Sequence, residues 1–345
     1  MTGMQGVVSE EVADHKTPPK MPPGVLLEGP LVDAKFFDSY IAFGIMVAGT
    51  IAALVWAFTQ GIGWVEISVF VGTFAMSTVG IGFMHRYFVH RSFRCGPVMR
   101  TLLAAIATLA VQGSILKWVS NHRRHHLHSD KPGDVHSPYY DGDGNRYVSF
   151  VKGMMHAQGG WVWDRATTDA EYYAKDILAD PIAMFFTRTR WYWYALSALV
   201  IPGALGYAFG GVHAMIGCVL FSGLFRSYLM TMATSLVNSV CHSDGRYGYR
   251  RFELGDGTTN ELVTTILTFG EGLHNNHHRF PRDAYLSHAW YEIDINGLII
   301  LGLGKLGLVH DIFAAGSRTA AGSRTAGSRD SDGGQRSIPD TEATA

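Results

Sequence analysis

Charge is what this chain has least of. Asp, Glu, Lys and Arg make up 17% of its 345 residues, against roughly 25% in ordinary soluble domains, and the formal net charge is −1. No zinc-finger, helix-turn-helix or basic-tract pattern occurs, so nucleic acid is excluded as a partner. Cysteine is scarce too. Cys95, Cys218 and Cys241 are too few and too scattered for a disulfide framework or a thiolate metal site. Any metal must therefore be held by nitrogen or oxygen. The N-terminus is polar and mixed in charge, with Pro18, Pro19, Pro22 and Pro23, and lacks the basic-then-apolar layout of a signal peptide. A haem-binding His-Pro-Gly-Gly run and a glycine-rich nucleotide fingerprint are also missing.

In place of charge there is hydrocarbon, 47% of residues. Four stretches approach the roughly 20 apolar residues needed to cross a bilayer, at about 37–58, 63–84, 191–209 and 212–237. The first two are separated by a few residues around Gln60, and the last two by Gly210 and Gly211. This predicts an all-α, integral-membrane fold of four transmembrane helices in two hairpins. Three cationic residues precede the first stretch, fourteen lie between Arg86 and Arg190, and ten follow the fourth; the remaining one is Arg226. Neither hairpin tip is positive, so both termini and the long central segment are predicted to be cytoplasmic. Thr101–Leu116 and Ile295–Val309 are read as buried or interfacial helices, too short to span. Residues 35–313 form the predicted domain. Residues 1–34 are read as a disordered tail, as are 314–345, where the hexad Ala-Gly-Ser-Arg-Thr-Ala occurs twice. Arg226 needs a partner inside its span, and counting back from the span ends suggests Glu66.

The histidines are not scattered evenly. Of sixteen, nine fall in four clusters: His85 with His90; His122, His125 and His126; His242, four after Asn238; and His274, His277 and His278. Residues three and four apart share a helix face, so each His-x-x-His-His group, and Asn238 with His242, can aim at one centre. His85 and His90 are about 140° apart on an ideal helix and need a helix end or a bulge to act together. Imidazole suits zinc, copper, iron or nickel. Nine nitrogens exceed the four of a structural zinc site and fit two ions of higher coordination number, with Asn238 holding a water. The predicted topology gathers all four clusters on the cytoplasmic side. A membrane metal-binding or transport protein is the competing reading, although transport sites usually lie near the midplane. His15, His128, His136, His156, His213, His288 and His310 are read as structural.

The spacing His-x4-His, His-x2-His-His, Asn-x3-His, His-x2-His-His resembles that of the stearoyl-CoA desaturase family of membrane fatty-acid desaturases. So does its setting: His85-Arg86, His90-Arg91-Ser92-Phe93, Asp134-Val-His-Ser-Pro138, Val237-Asn238-Ser239, and Phe269-Gly-Glu-Gly-Leu-His-Asn-Asn-His-His-Arg-Phe-Pro281. The resemblance covers roughly Phe37 to Asp311. It implies a cytoplasmic helical cap holding two irons on the nine histidines, with Asn238 contacting one through water. It also implies insertion of a cis double bond, delta-9 in type, into a fatty-acyl chain borne by CoA, a carrier protein or a lipid. O₂ is the co-substrate, and two electrons come from an external ferredoxin or small haem cytochrome. The same scaffold could hydroxylate or make an alkyne. Gln112, Trp118 and Thr234 match positions lining the family's acyl tunnel. Ser235 departs from the tryptophan that many members carry there, which leaves chain length and regiochemistry open. Glu271 and Asp134 are candidates to orient histidines, and Arg91, Arg123 and Arg124 to meet a charged head group.

Overall fold

The computed structural model describes residues 21–316, so most of both expected tails lies outside the described residues. The part of residues 1–34 that is described is ordered. Val25–Leu26 pairs antiparallel with Thr167–Thr168, and helix α1 already begins at Pro30, seven residues before the apolar stretch. Proline at the first helical position explains that start: its missing N–H would have had no helical partner, and its φ is already helical. At the other end, Asp283 accepts from the backbone N–H groups of Ala315 and Gly316, both at 2.9 Å.

Helix α1 (Pro30–Gln60) turns at Gly61–Gly63 into α2 (Trp64–Phe83). A third apolar stretch runs from Arg190 to His242. By length and composition these three can cross a membrane. The third folds back on itself. At Gly211 the backbone takes φ 70°, ψ −162°, a conformation open only to glycine at no steric cost, and the two arms then pack antiparallel. A Cβ at Gly206 would strike the Ala214 carbonyl, and one at Gly223 the Ala198 carbonyl. Large apolar side chains face outward along all three stretches, including Phe58 at 90% exposed and Trp64 at 83%, as expected of surface that meets hydrocarbon.

The rest of the chain forms a cap at the far end of α2. Helix α3 (Pro97–Leu109) and helix α4 (Ile115–His128) lead into it. The fifth apolar stretch is thus a short helix followed by a turn. Ile295–Lys305 is likewise an eleven-residue helix. A core of Met84, Phe88, Phe93, Leu103, Ile115 and Val119 joins the end of α2 to α3 and α4.

The expected Glu66–Arg226 pair does not form. Glu66 turns back on its own helix end and accepts from Gly63 N at 3.1 Å. Arg226, fully buried, donates to Ser77 Oγ (2.5 Å), Ser197 Oγ (2.9 Å) and the carbonyls of Ser197 and Ser222. Ser77 lies eleven residues beyond Glu66, about 16 Å along a helix. Counting back from His85 and His242 misplaced the pair because the two helices do not reach the centre at the same level.

Candidate metal centre

All nine clustered histidines converge, in two groups. His85, His90, His122, His126 and His277 form one, and His125, His242, His274 and His278 the other; within each group the ring nitrogens lie within 4.8 Å of one another. The end of α2 solves the His85–His90 problem. Met84–Val89 is a π-helical turn, with His90 N donating to His85 O at 3.2 Å. An i→i+5 bond sets the fifth residue over the first, so both rings share a face; such turns recur at functional sites.

The two His-x-x-His-His segments do not each serve one centre, as spacing alone suggested. In α4, His122 and His126 belong to the first group and His125 to the second; in the helix His274–Arg279, His274 and His278 belong to the second and His277 to the first. The i, i+4 pair shares a face, and the remaining histidine, about 100° from its neighbour, reaches across.

Carboxylates hold the rings. Glu271 accepts from His85 Nδ1 at 2.5 Å, Asp134 from His125 Nδ1 at 2.9 Å, Asp130 from His242 Nδ1 at 2.8 Å and Asp256 from His278 Nδ1 at 3.0 Å. Glu271 and Asp134 were singled out in the sequence; Asp130 and Asp256 were not. Asp130 sits in the same turn as Asp134, four residues after His126, and was as visible. Asp256 lies in a glycine-flanked loop with no local signal. Arg86, buried beside His85, donates to Glu271 Oε1 (2.9 Å), Asp294 Oδ2 (2.8 Å) and Ala284 O (2.9 Å). Burial alone would raise the Glu271 carboxyl, but Arg86 and His85 hold it down at about 2. It is therefore an anion that fixes the His85 tautomer.

A neutral imidazole with its Nδ1 proton given to a carboxylate has a bare lone pair on Nε2. His125 and His278 are both in that state, and their Nε2 atoms face each other at 3.3 Å. Neither has a proton to share, so an electrophile belongs between them. Burial holds His90, His122, His125, His126, His274, His277 and His278 well below the ordinary imidazole value, which keeps them in the form that ligates. Further Nε2 pairs lie 2.9 Å apart (His122–His126, His126–His277, His242–His274) and 3.0 Å apart (His85–His277). Two nitrogens about 2.1 Å from one ion are about 3.0 Å apart at a right angle and about 3.4 Å apart at the tetrahedral angle. The donor set thus fits two ions of higher coordination number. His90 Nε2 is buried with no hydrogen-bond partner among the described residues. Asn238 sits half-buried one helical turn before His242, and its amide also has no partner among the described residues.

The other expected residues are dispersed. Trp118 stacks on His122 (4.9 Å, 11°). Gln112 donates to Thr231 Oγ1 at 3.1 Å, Thr234 bonds back to Met230 O, and Ser235 is buried. Arg91 and Arg123 share Asp176. Arg124 is 1% exposed and donates to Gly133 O and Thr168 Oγ1. It holds the cap loop from inside and does not face a head group. His136 packs 4.5 Å from the His125 ring, and His156 bridges Asp164 and Ser137 O.

A fatty acid desaturase family model matches residues 61–295. The chain belongs to the fatty acid desaturase family. It is 35% identical over 269 residues to a hex-5-enoyl-[acyl-carrier protein] acetylenase of Moorena producens, covering 76% of this chain and 82% of that protein. It is 34% identical over 236 residues to an sn-1 stearoyl-lipid 9-desaturase of Anabaena variabilis (68% and 78%), and 32% identical over 245 residues to an icosanoyl-CoA 5-desaturase of Limnanthes douglasii (69% and 62%). This desaturase is an oxidoreductase acting on fatty-acyl chains, and its histidine groups can hold metal.

The Glu271 contact sets a test. Glu271→Gln keeps the shape and loses the charge that fixes His85. Metal affinity is expected to fall roughly 10–100-fold, measured by competitive titration of apo protein. Unchanged affinity would show that the contact is incidental.

Proposed function

We propose that this desaturase is a four-span, di-iron membrane enzyme that introduces a cis double bond, delta-9 in type, into an acyl thioester or lipid ester. The observation that carries the two-metal reading is the sorting of the nine histidines into two separate groups of converging ring nitrogens, one of them holding the facing bare pair on His125 and His278. The reversal at Gly211 supports two spans within Arg190–His242. With cationic residues concentrated outside the apolar stretches, the cap and both termini lie in the cytoplasm.

His85, His90, His122, His126 and His277 would hold one iron, and His125, His242, His274 and His278 the other, with Asn238 reaching the second through water. When bound, two irons supply the oxidising power drawn from O₂ and two electrons. Overall, –CH₂–CH₂– plus O₂, two electrons and two protons gives –CH=CH– and two waters. The protein's own contribution is position. Glu271, Asp134, Asp130 and Asp256 keep the Nδ1 protons in place so that every opposing nitrogen stays bare. Five of the nine histidines are buried and the other four partly so, which limits access of bulk water, and Trp118 forms a wall beside His122. Unactivated methylenes offer no chemical handle, so orientation decides which carbons react. The electrons come from a separate ferredoxin or small haem cytochrome on the cytoplasmic face.

Expression in a host of defined lipid content, with mass spectrometry of the acyl products and iron analysis of the purified protein, tests this. The expected result is about two irons per chain and a new cis alkene. A hydroxylated product without alkene, or one zinc and no product, would refute it. Alkyne formation is the second reading, favoured by the acetylenase relative; conversion of a supplied alkene to an alkyne would establish it.

A further inference from the structure

Helix α4 works on two faces. His122, His125 and His126 turn to the metal centre. Lys117, Ser120 and Asn121, three and four residues apart, share an adjoining face and line a cavity of about 200 Å³. Leu31, Lys35 and Asp38 of α1, with Arg190, form its opposite wall, and Leu116, Val135 and Trp161 make much of the rest apolar. Trp118, the residue after Lys117, stacks on His122 of the centre.

Three cations line the cavity, and two are engaged. Lys35 Nζ donates to the carbonyls of Trp161 (3.3 Å), Asp164 (2.7 Å) and Ala166 (3.0 Å). Arg190 donates to Asp38 at 2.7 Å. The Lys117 ammonium has no hydrogen bond or ion pair among the described residues. Burial lowers its pKa, with Asp38 opposing and Arg190 adding to that shift. Its Nζ is a donor without a protein acceptor among the described residues, free to meet a ligand that brings an acceptor into the cavity. Lys117 and His122 are five residues apart, about 7.5 Å along the axis. A chain lying across the metals therefore has only its first several carbons between them, and the group at Lys117 is the one that begins the chain.

We propose that Lys117 donates a hydrogen bond to the carbonyl oxygen that heads the acyl chain, in thioester or ester alike, and so sets which methylenes reach the metals. This rests on the desaturase reading. It makes Lys117 a positioning residue, with the double bond counted from the carboxyl end.

The test reads binding, under anaerobic conditions and without electron donor, on the full chain loaded with iron. Paired probes differ only in the carbonyl: stearoyl-CoA against S-octadecyl-CoA, and a 1-stearoyl phospholipid against its 1-octadecyl ether in nanodiscs. Wild type is expected to prefer the carbonyl probe at least about tenfold, the scale of a hydrogen bond to a charged group, in whichever pair carries its natural head. Lys117→Met is expected to bind both members within about twofold, and Lys117→Arg to restore part of the preference. Alkene products of Lys117→Met should spread over more than one position. Should Lys117→Met lose metal or fold, the donor-less Lys117→Leu decides by the same ratio. A preference that survives in Lys117→Met, or is absent from wild type in both pairs, overturns the proposal. Intact discrimination with no alkene from wild type would sink the desaturase reading instead and leave the carbonyl site standing.

Discussion

His277→Ala and His278→Ala, changes at adjacent residues, are expected to remove different metals. His277 belongs to the five-histidine group and His278 to the four-histidine group, because neighbours on a helix are about 100° apart. Elemental analysis of each single variant should give about one iron per chain, and of the double variant close to none. Desaturation should fall by roughly 10³-fold or more in every case, since loss of a ligand exceeds the 10–100-fold that an outer partner carries. Pairwise substitution identifies the groups further. His122→Ala with His277→Ala should spare the second iron, whereas His122→Ala with His125→Ala should spare neither. Retention of two irons in His278→Ala would break the assignment.

Arg86→Leu carries the largest expected cost in stability. Arg86 is 1% exposed and sits between two buried carboxylates, Glu271 and Asp294. Removing one member of such a network leaves uncompensated buried charge and costs about 3–5 kcal/mol. Asp294 also caps the helix Ile295–Lys305, accepting from Gly297 N, so the loss should spread to the C-terminal end of the cap. Thermal unfolding in detergent should show a much lower midpoint, with iron lost before the spans unfold. Arg86→Lys should rescue only part, because a single ammonium cannot make the forked contact with both acids. A midpoint unchanged in Arg86→Leu would mean that the network contributes nothing net.

The parts of this molecule that could be read in its sequence are those fixed by local spacing. Apolar length gave α1 and α2, and Gly210–Gly211 marked the reversal that keeps the third stretch from being one straight helix. Histidine spacing identified all nine residues that converge. What stayed hidden depends on approach between distant segments. Asp256 reaches His278 from a loop, and nothing in its neighbourhood announces that. The crossing of His125 and His277 between groups depends on how two helices face each other. Arg226 illustrates the opposite error: similar counts back from two histidines suggested similar depth, but its partners are serines eleven residues and more from the expected acid. Two-residue strand pairings such as Arg94–Cys95 with Val309–His310 leave no pattern at all.

The π-helical turn at Met84–Val89 has a consequence for how this chain tolerates insertion and deletion. Four residues separate His85 from His90, one more than an ordinary helix would need to put both rings on one face. Deleting one of them would keep the rings aligned on a regular helix, so the pair itself does not require the extra residue. Everything after it does. The surplus residue acts as a phase shifter of about 100°, turning the chain so that Arg91 leaves at φ 52° and Arg94–Cys95 meets Val309–His310. A one-residue deletion there would leave the ligands intact and misdirect the strand that ties them to the far end of the cap.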